Sequence, residues 1–240
     1  MFHLSDPQVI PIAYSEKDPR ELAAYPLAEA ARYVRIAPAT LRSWVIGRNY
    51  PKRGGVARFK PLIRLASANR AELSFANLVE AHVLRALRAD HGVSIKDVRS
   101  ALDFAEKALG IKRLLLNPAL RTDAGNVFLD RYGELINLSK SGQLAMKKLL
   151  EAHLRRVEWG ATDAPSRLYP FIRGDYLDAP KPIAIDPLIA FGRPIVLRKG
   201  VSTSVIADRI DAGETVDDLA QDYDLEPSEV EEAVVYERAA

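Results

Sequence analysis

The chain has 240 residues, 48% of them hydrophobic, with 34 Lys and Arg against 32 Asp and Glu, enough apolar material for one sizeable core or two to three small ones and too much for a disordered chain. It has no cysteine, which excludes disulfide frameworks, thiolate zinc sites and cysteine nucleophiles. The opening Met1-Phe2-His3-Leu4-Ser5-Asp6 lacks the features of a secretory signal, and no apolar run approaches the roughly 20 residues that cross a bilayer, so a soluble, cytoplasmic protein without a membrane partner is expected.

The net charge of +2 conceals a strong polarity. Residues 20–121 hold 19 Lys and Arg against 8 Asp and Glu, whereas residues 183–240 hold 5 against 13. Between Glu29 and Glu72 there is no acid, and ten cations fall in the gap: Arg32, Arg35, Arg42, Arg48, Lys52, Arg53, Arg58, Lys60, Arg64 and Arg70. Such a run is the electrostatic footprint of a surface that meets phosphates.

Within it, Leu27, Ala30, Ala31 and Val34 recur at helical spacing and predict a short helix. Pro38 suits the first turn of a second helix, in which Leu41, Trp44 and Val45 form the inward stripe. The pair reads as a helix-turn-helix, with Ala39, Thr40, Arg42 and Ser43 outward on a face able to enter a major groove. Two short runs around Gly54-Gly55 then predict a hairpin over 50–59 with cations on both arms, a wing. The predicted DNA-contacting residues are Thr40, Arg42, Ser43, Arg48, Lys52, Arg53, Arg58 and Lys60; Arg42 suits a guanine edge, and Thr40 and Ser43 suit bases or phosphates.

Residues 73–87 and 94–109 predict two amphipathic helices, the second capped by Ser94 and stopped by Gly110; periodicity leaves open whether they are core or a dimer seam. Residues 111–178 read as a mixed α+β platform. Strands are expected at 126–129, 134–138 and 167–172, with a hairpin turn at 130–133 and a helix over 141–157. Residues 178–183 break regular structure and read as a linker.

The last segment, 181–240, starts with short strands around Gly192 and Pro194. Helices follow over 203–211, 215–223, capped by Thr215 and Asp218, and 227–236, opening at Pro227. The last two repeat a helix-turn-helix pattern, with Leu219, Ala220, Leu225, Val230 and Val234 inside. Glu229, Glu231, Glu232 and Glu237 on the final helix would be repelled by DNA. An acidic helical module fits a basic protein partner or a dimer contact. The fold class expected overall is mainly α with small β elements, divided at 20–110, 111–178 and 181–240.

Two blocks carry a family resemblance. Leu27-Ala-Glu-Ala-Ala-Arg-Tyr-Val34 through Ala39-Thr-Leu-Arg-Ser-Trp44 resembles MerR-type helix-turn-helix domains. Ile185-Asp-Pro with Gly192-Arg-Pro-Ile-Val196 resembles the small C-terminal domain of VapB-like antitoxins, a domain family of unknown function. Leu73-Ser-Phe-Ala-Asn-Leu-Val-Glu80 and Leu135-Ile-Asn-Leu-Ser-Lys-Ser-Gly-Gln-Leu144 extend the likeness to mycobacterial-type antitoxins from about residue 20 to the end. The resemblance implies an antitoxin that binds operator DNA, represses its own promoter and neutralises a PIN-domain ribonuclease toxin. The chain departs from the pattern at Arg35, where the turn favours Gly, and at Ala37, where Ser or Thr caps the second helix at a gain of about 1 kcal/mol. Leu197-Arg-Lys-Gly200 likewise stands where Arg-Gly-Thr-Arg is common.

No catalytic constellation is expected. His3, His82, His91 and His153 lack metal-ligand spacing, and there is neither a Gly-rich phosphate loop nor a serine elbow. The expected protein is therefore not an enzyme and holds no metal or cofactor. Its partners would be double-stranded operator DNA, a cognate PIN-domain toxin and a second copy of itself, because paired half-sites multiply modest single-module affinity. The alternative is a one-component MerR-like regulator without a toxin, in which residues 111–240 dimerise or sense a ligand.

Overall fold

The structure, a computed structural model, describes residues 18–65, 67, 71–88, 95–108, 110–117, 120, 123–135, 140–173 and 178–239. A two-residue strand, β1 (Tyr25–Pro26), leads into α1 (Leu27–Tyr33), and a turn leads to α2 (Pro38–Val45). Ala30, Ala31 and Val34 from the first helix pack with Leu41, Trp44 and Val45 from the second, as their spacing predicts. Pro38 occupies the first turn of α2, and Ala37 provides no side-chain cap. Arg35, in the turn, has φ +53°, the left-handed conformation that explains why Gly suits this position.

The wing is an antiparallel hairpin of β2 (Arg48–Lys52) and β3 (Gly55–Phe59), with Lys52 opposite Gly55 and Arg53-Gly54 as the loop. β4 (Glu72–Leu73) pairs back with β1 and starts α3 (Phe75–Ala86). In α3 every residue except Arg85 is buried, so this helix is the central post of the domain rather than an amphipathic surface. It starts with a capping box: Asn77 N–H donates to Ser74 Oγ and Ser74 N–H to Asn77 Oδ1, both at 3.2 Å. α4 (Ile95–Ala108) buries Val98, Ala101 and Ala105 in the same core, and Gly110 beyond it is left-handed at φ +69°. Both helices are therefore core; Ser94, the expected cap, lies outside the described residues.

The middle region departs from expectation. Residues 126–129, read as a strand, and 130–133, read as a hairpin turn, both lie in α5 (Asp123–Leu135). Of the strand expected at 134–138, Glu134 and Leu135 are helical and the rest lies outside the described residues. The apolar run conceals a helical stripe. Phe128 and Tyr132, four apart, are both fully buried with their rings stacked at 5.8 Å, and Tyr132 OH donates to the Leu87 carbonyl at 3.1 Å. Gly133 is not turn punctuation but allows α6 (Lys140–Leu154) to approach, since a Cβ there would lie 2.7 Å from Gln143 Cγ. Among the described residues the β content of this region is a hairpin of β5 (Val157–Trp159) and β6 (Pro165–Leu168), so the strand ends before the expected 172.

A continuous apolar core runs from Tyr25 to Ile185. The irregular segment at 178–182 is held down by the buried Arg156, which donates to the carbonyls of Ala179, Pro180 and Pro170 at 2.7–2.9 Å. Beyond it, β7 (Ile183–Ala184), β8 (Ile195–Val196) and β9 (Val201–Ser202) form one antiparallel sheet in that order. α7 (Thr203–Asp211), α8 (Val216–Tyr223) and α9 (Pro227–Arg238) close a second core of Val196, Ile206, Leu219, Leu225 and Val230. The expected Thr215–Asp218 capping box is present. The fold is thus mainly helical with small antiparallel sheets.

Candidate nucleic-acid interface

The outward face of α2 follows from its inward one. With Leu41, Trp44 and Val45 buried, Ala39 and Arg42 are exposed and Thr40 and Ser43 half-buried at its edge. The chain then turns into the wing at Gly47, whose φ is +83° and whose added Cβ would stand 2.1 Å from the Phe59 carbonyl oxygen. Only glycine lets the end of α2 run this close to the outgoing wing strand.

The wing has little apolar material of its own, and Tyr50 stacks on Phe59 at 4.1 Å to stiffen it. Arg48 lies 5.4 Å over the Phe59 ring, and Arg58 donates to the Ile46 carbonyl at 3.2 Å. Lys52 and Arg53 stand exposed at the tip, and Lys60 and Arg64 are exposed on the way out. The base is tied to α2 where Leu62 and Ile63 N–H groups both donate to the Trp44 carbonyl, at 2.7 and 3.1 Å. Arg42, Arg48, Lys52, Arg53, Arg58, Lys60 and Arg64 form no ion pair with any described carboxylate. Cations without internal acids keep their charge available to an external anion.

Two cations of the ten-residue run serve elsewhere. Arg32 is ion-paired with Glu237 of α9, and Arg35 lies 5.6 Å over the Tyr236 ring and donates to the Ala239 carbonyl at 3.5 Å. Tyr236 OH, fully buried, donates to the Tyr33 carbonyl at 3.2 Å. The last helix is thus seated on the first helix of the helix-turn-helix. Arg70 lies outside the described residues.

Two further arginines belong to this region, and no local pattern marks either of them. Arg99 of α4 donates to the carbonyls of Lys60 and Pro61 and so braces the wing exit. Arg88, after α3, lies 5.9 Å over the Trp44 ring. Both sit far along the chain from the basic run and join it only through packing.

The C-terminal helix pair is electrostatically different. Arg198 pairs with Glu229 and Glu226, Arg209 with Asp222 and Glu214, Lys199 with Asp224, and Arg238 with Asp211. Arg198, Lys199, Arg209 and Arg238 are thus paired within the module, which keeps a surplus of negative charge. Among the described residues no three His, Asp or Glu side chains are grouped to hold a metal, and no helix is long and apolar enough to cross a membrane.

Residues 23–102 match the family described as "Putative DNA-binding HTH domain", and residues 183–236 match "Protein of unknown function (DUF433)". The chain is similar to the crystal structure of Rv2018 from Mycobacterium tuberculosis, at 26% identity and a TM-score of 0.63, over 89% of this chain and 98% of that one. It is 25% identical to the uncharacterized protein Rv2308 of the same organism over 90% of each chain. It is also 30% identical to the protein named "Putative antitoxin VapB45" of M. tuberculosis, over 89% of this chain and 93% of that one. With a helix-turn-helix at one end and the DUF433 domain at the other, the chain belongs to the VapB45 family of antitoxin-like, DNA-binding proteins.

Proposed function

We propose that this protein is the antitoxin of a type II toxin–antitoxin pair, which binds its own operator through a MerR-like winged helix-turn-helix and neutralises a cognate PIN-domain ribonuclease. The observation that carries the DNA-binding half is the set of seven exposed cations on α2, the wing and the segment just after it, none of them ion-paired with a described carboxylate. Arg42, Thr40 and Ser43 read bases or fix register from the outer face of α2. Arg48, Lys52, Arg53, Arg58 and Lys60 contact phosphates. Counterion release from those contacts supplies most of the affinity and makes it steeply salt-dependent.

In this division of labour residues 20–110 bind DNA, and residues 111–178 and 181–240 together hold the toxin. The acidic surplus of the last module supports a basic protein partner. The protein acts in the cytoplasm as a homodimer on paired half-sites, with no cofactor and no catalytic role.

The test is fluorescence-anisotropy titration of labelled promoter DNA from its own operon with the full chain. Affinity that falls steeply with salt, and is lost in the Arg42→Ala, Lys52→Ala, Arg53→Ala triple variant, supports the reading. Unchanged binding in that variant overturns it. For the toxin half, the neighbouring open reading frame is co-expressed, and the expected outcome is a co-purifying PIN-type nuclease held inactive.

A further inference from the structure

The register of the wing sorts its side chains onto two faces. Directly opposed residues share a face, so Tyr50, Ala57 and Phe59 lie on one, and Asn49, Pro51, Val56 and Arg58 on the other. The first is the supported face: its three residues are half-buried, and Tyr50 stacks on Phe59. Every residue named on the second is exposed. From base to tip this outer face changes character, from the polar pair Asn49 and Arg58 to the apolar pair Pro51 and Val56 just below the Arg53-Gly54 loop.

Val56 is 75% exposed. Pro51 stands opposite, at a Cβ separation of roughly 5 Å, so the two make one apolar patch. Proline is fixed at φ and valine is stiff at χ1, so the patch loses little freedom when something covers it.

Its surroundings identify the occupant. Lys52 and Arg53 stand beside it at the tip and Arg58 shares its face, and none of the three is ion-paired with a described carboxylate. A small apolar surface among unpaired cations complements a polyanion with apolar walls, which is a groove of duplex DNA with sugars along it and phosphates at both rims. The attachment of the wing selects the groove. Only Ile46 and Gly47 separate β2 from α2, and the wing exit is tied back to the Trp44 carbonyl. Each arm has five residues, a reach of about 17 Å. With α2 in a major groove, such a ribbon crosses one phosphate strand and its tip meets the adjacent minor groove.

We propose that Pro51 and Val56 lie in the minor groove beside the α2 site and select A·T over G·C there. The inference rests on the DNA-binding reading above and adds to it a specificity determinant that has no hydrogen-bonding group. Both kinds of base pair show acceptors on the minor-groove floor, and G·C adds the 2-amino donor of guanine. Against Pro51 and Val56 that donor is stripped of water and meets no acceptor, so a G·C pair at this position should weaken binding about ten-fold.

The test is fluorescence anisotropy of the full chain on labelled promoter DNA from its own operon, with each A·T pair replaced in turn by G·C and by inosine·C. Inosine is guanine without the 2-amino group and keeps guanine's major-groove edge, so the comparison isolates the minor groove. At pairs flanking the α2 contacts, the wild type should bind the G·C duplex about ten-fold more weakly than the inosine·C duplex. Val56→Asn supplies an amide oxygen that accepts from the amino group and should bring that ratio close to one. Its circular dichroism should be unchanged, because the side chain is exposed. The absence of any position with a G·C to inosine·C difference, or a difference that persists in Val56→Asn, overturns the groove contact and leaves the DNA-binding reading standing. A wild type that does not bind the promoter duplex overturns both.

Discussion

Glu237 on the last helix is ion-paired with Arg32 on the first helix of the helix-turn-helix, 205 residues earlier in the chain. The other carboxylate oxygen of Glu237 accepts from Thr203 Oγ1 at 2.5 Å, so one side chain joins the start of α7, the end of α9 and the back of the DNA-binding motif. The carboxylate is nearly buried and the guanidinium about three-quarters so, which makes the pair more than a surface decoration. Glu237→Gln should cost on the order of 1–2 kcal/mol, because Arg32 stays charged and loses its partner. Urea unfolding reads this directly, and a double-mutant cycle with Arg32→Ala should return a positive coupling.

Gly47→Ala should disconnect the wing. The new methyl would meet the Phe59 carbonyl at 2.1 Å in a backbone already left-handed, so about 2–4 kcal/mol of strain is expected. Gly54→Ala at the wing tip has φ +89° but open space, and should cost only about 1 kcal/mol. Thermal unfolding of the two variants should separate by this margin, and only Gly47→Ala should also lower operator affinity, since it displaces Arg48 and Arg58.

Arg35 presents a conflict between backbone and side chain. Its left-handed φ of +53° favours glycine by roughly 1 kcal/mol, while its guanidinium contacts Tyr236 and the Ala239 carbonyl. Arg35→Ala loses the contacts and keeps the strain; Arg35→Gly loses the contacts and relieves it. The glycine variant should therefore unfold at higher urea concentration than the alanine variant.

On DNA, the outer face of α2 and the wing should behave differently. Arg42→Ala should relax selection at one base position, whereas Lys52→Ala and Arg53→Ala should each weaken all sequences alike and flatten the log–log salt slope by about one. Equal losses on specific and random duplexes for Arg42→Ala would assign it to phosphate instead.

Stability should fall with acid through the His82–His153 pair. Burial first, then the neighbouring His153, hold the His82 imidazole well below its usual pKa of 6.5, and its Nε2 lies 3.1 Å from the His153 carbonyl. A base whose folded pKa is depressed takes up its proton in the unfolded chain first, so its stability contribution is complete above about pH 6.5 and is lost as pH falls below that. The slope that this one group adds below about pH 6.5 is bounded by about 1.4 kcal/mol per pH unit, the one-proton limit. His82→Gln should reduce that slope, as measured by urea midpoints at pH 5, 6 and 7.

Much of this architecture was legible in the chain. Leu41 and Trp44 three apart, Pro38 ahead of them and the Gly54-Gly55 pair specify helix, start and hairpin through local sterics and period. The Thr215–Asp218 box and Pro227 do the same at the other end. The exposed cations of α2, the wing and its exit were visible because local structure alone sets which way they face. In α5, by contrast, Asn126-Val-Phe-Leu129 and Tyr132-Gly133 resemble strand and turn until Tyr132 reaches the Leu87 carbonyl and α6 settles against Gly133.

Sequence by itself therefore determined the helix-turn-helix, its wing and the opposed charges of the two ends, since each depends on neighbours within a few residues. Tertiary structure alone decided that Arg32 and Arg35 turn away from the cationic face toward Glu237 and Tyr236, and that Arg99 braces the wing. It also decided that Phe191 stands in water on a left-handed loop. The reason is range: the direction of a long side chain, and the conformation forced on a loop, follow from groups a hundred or two hundred residues away, and no local period records them.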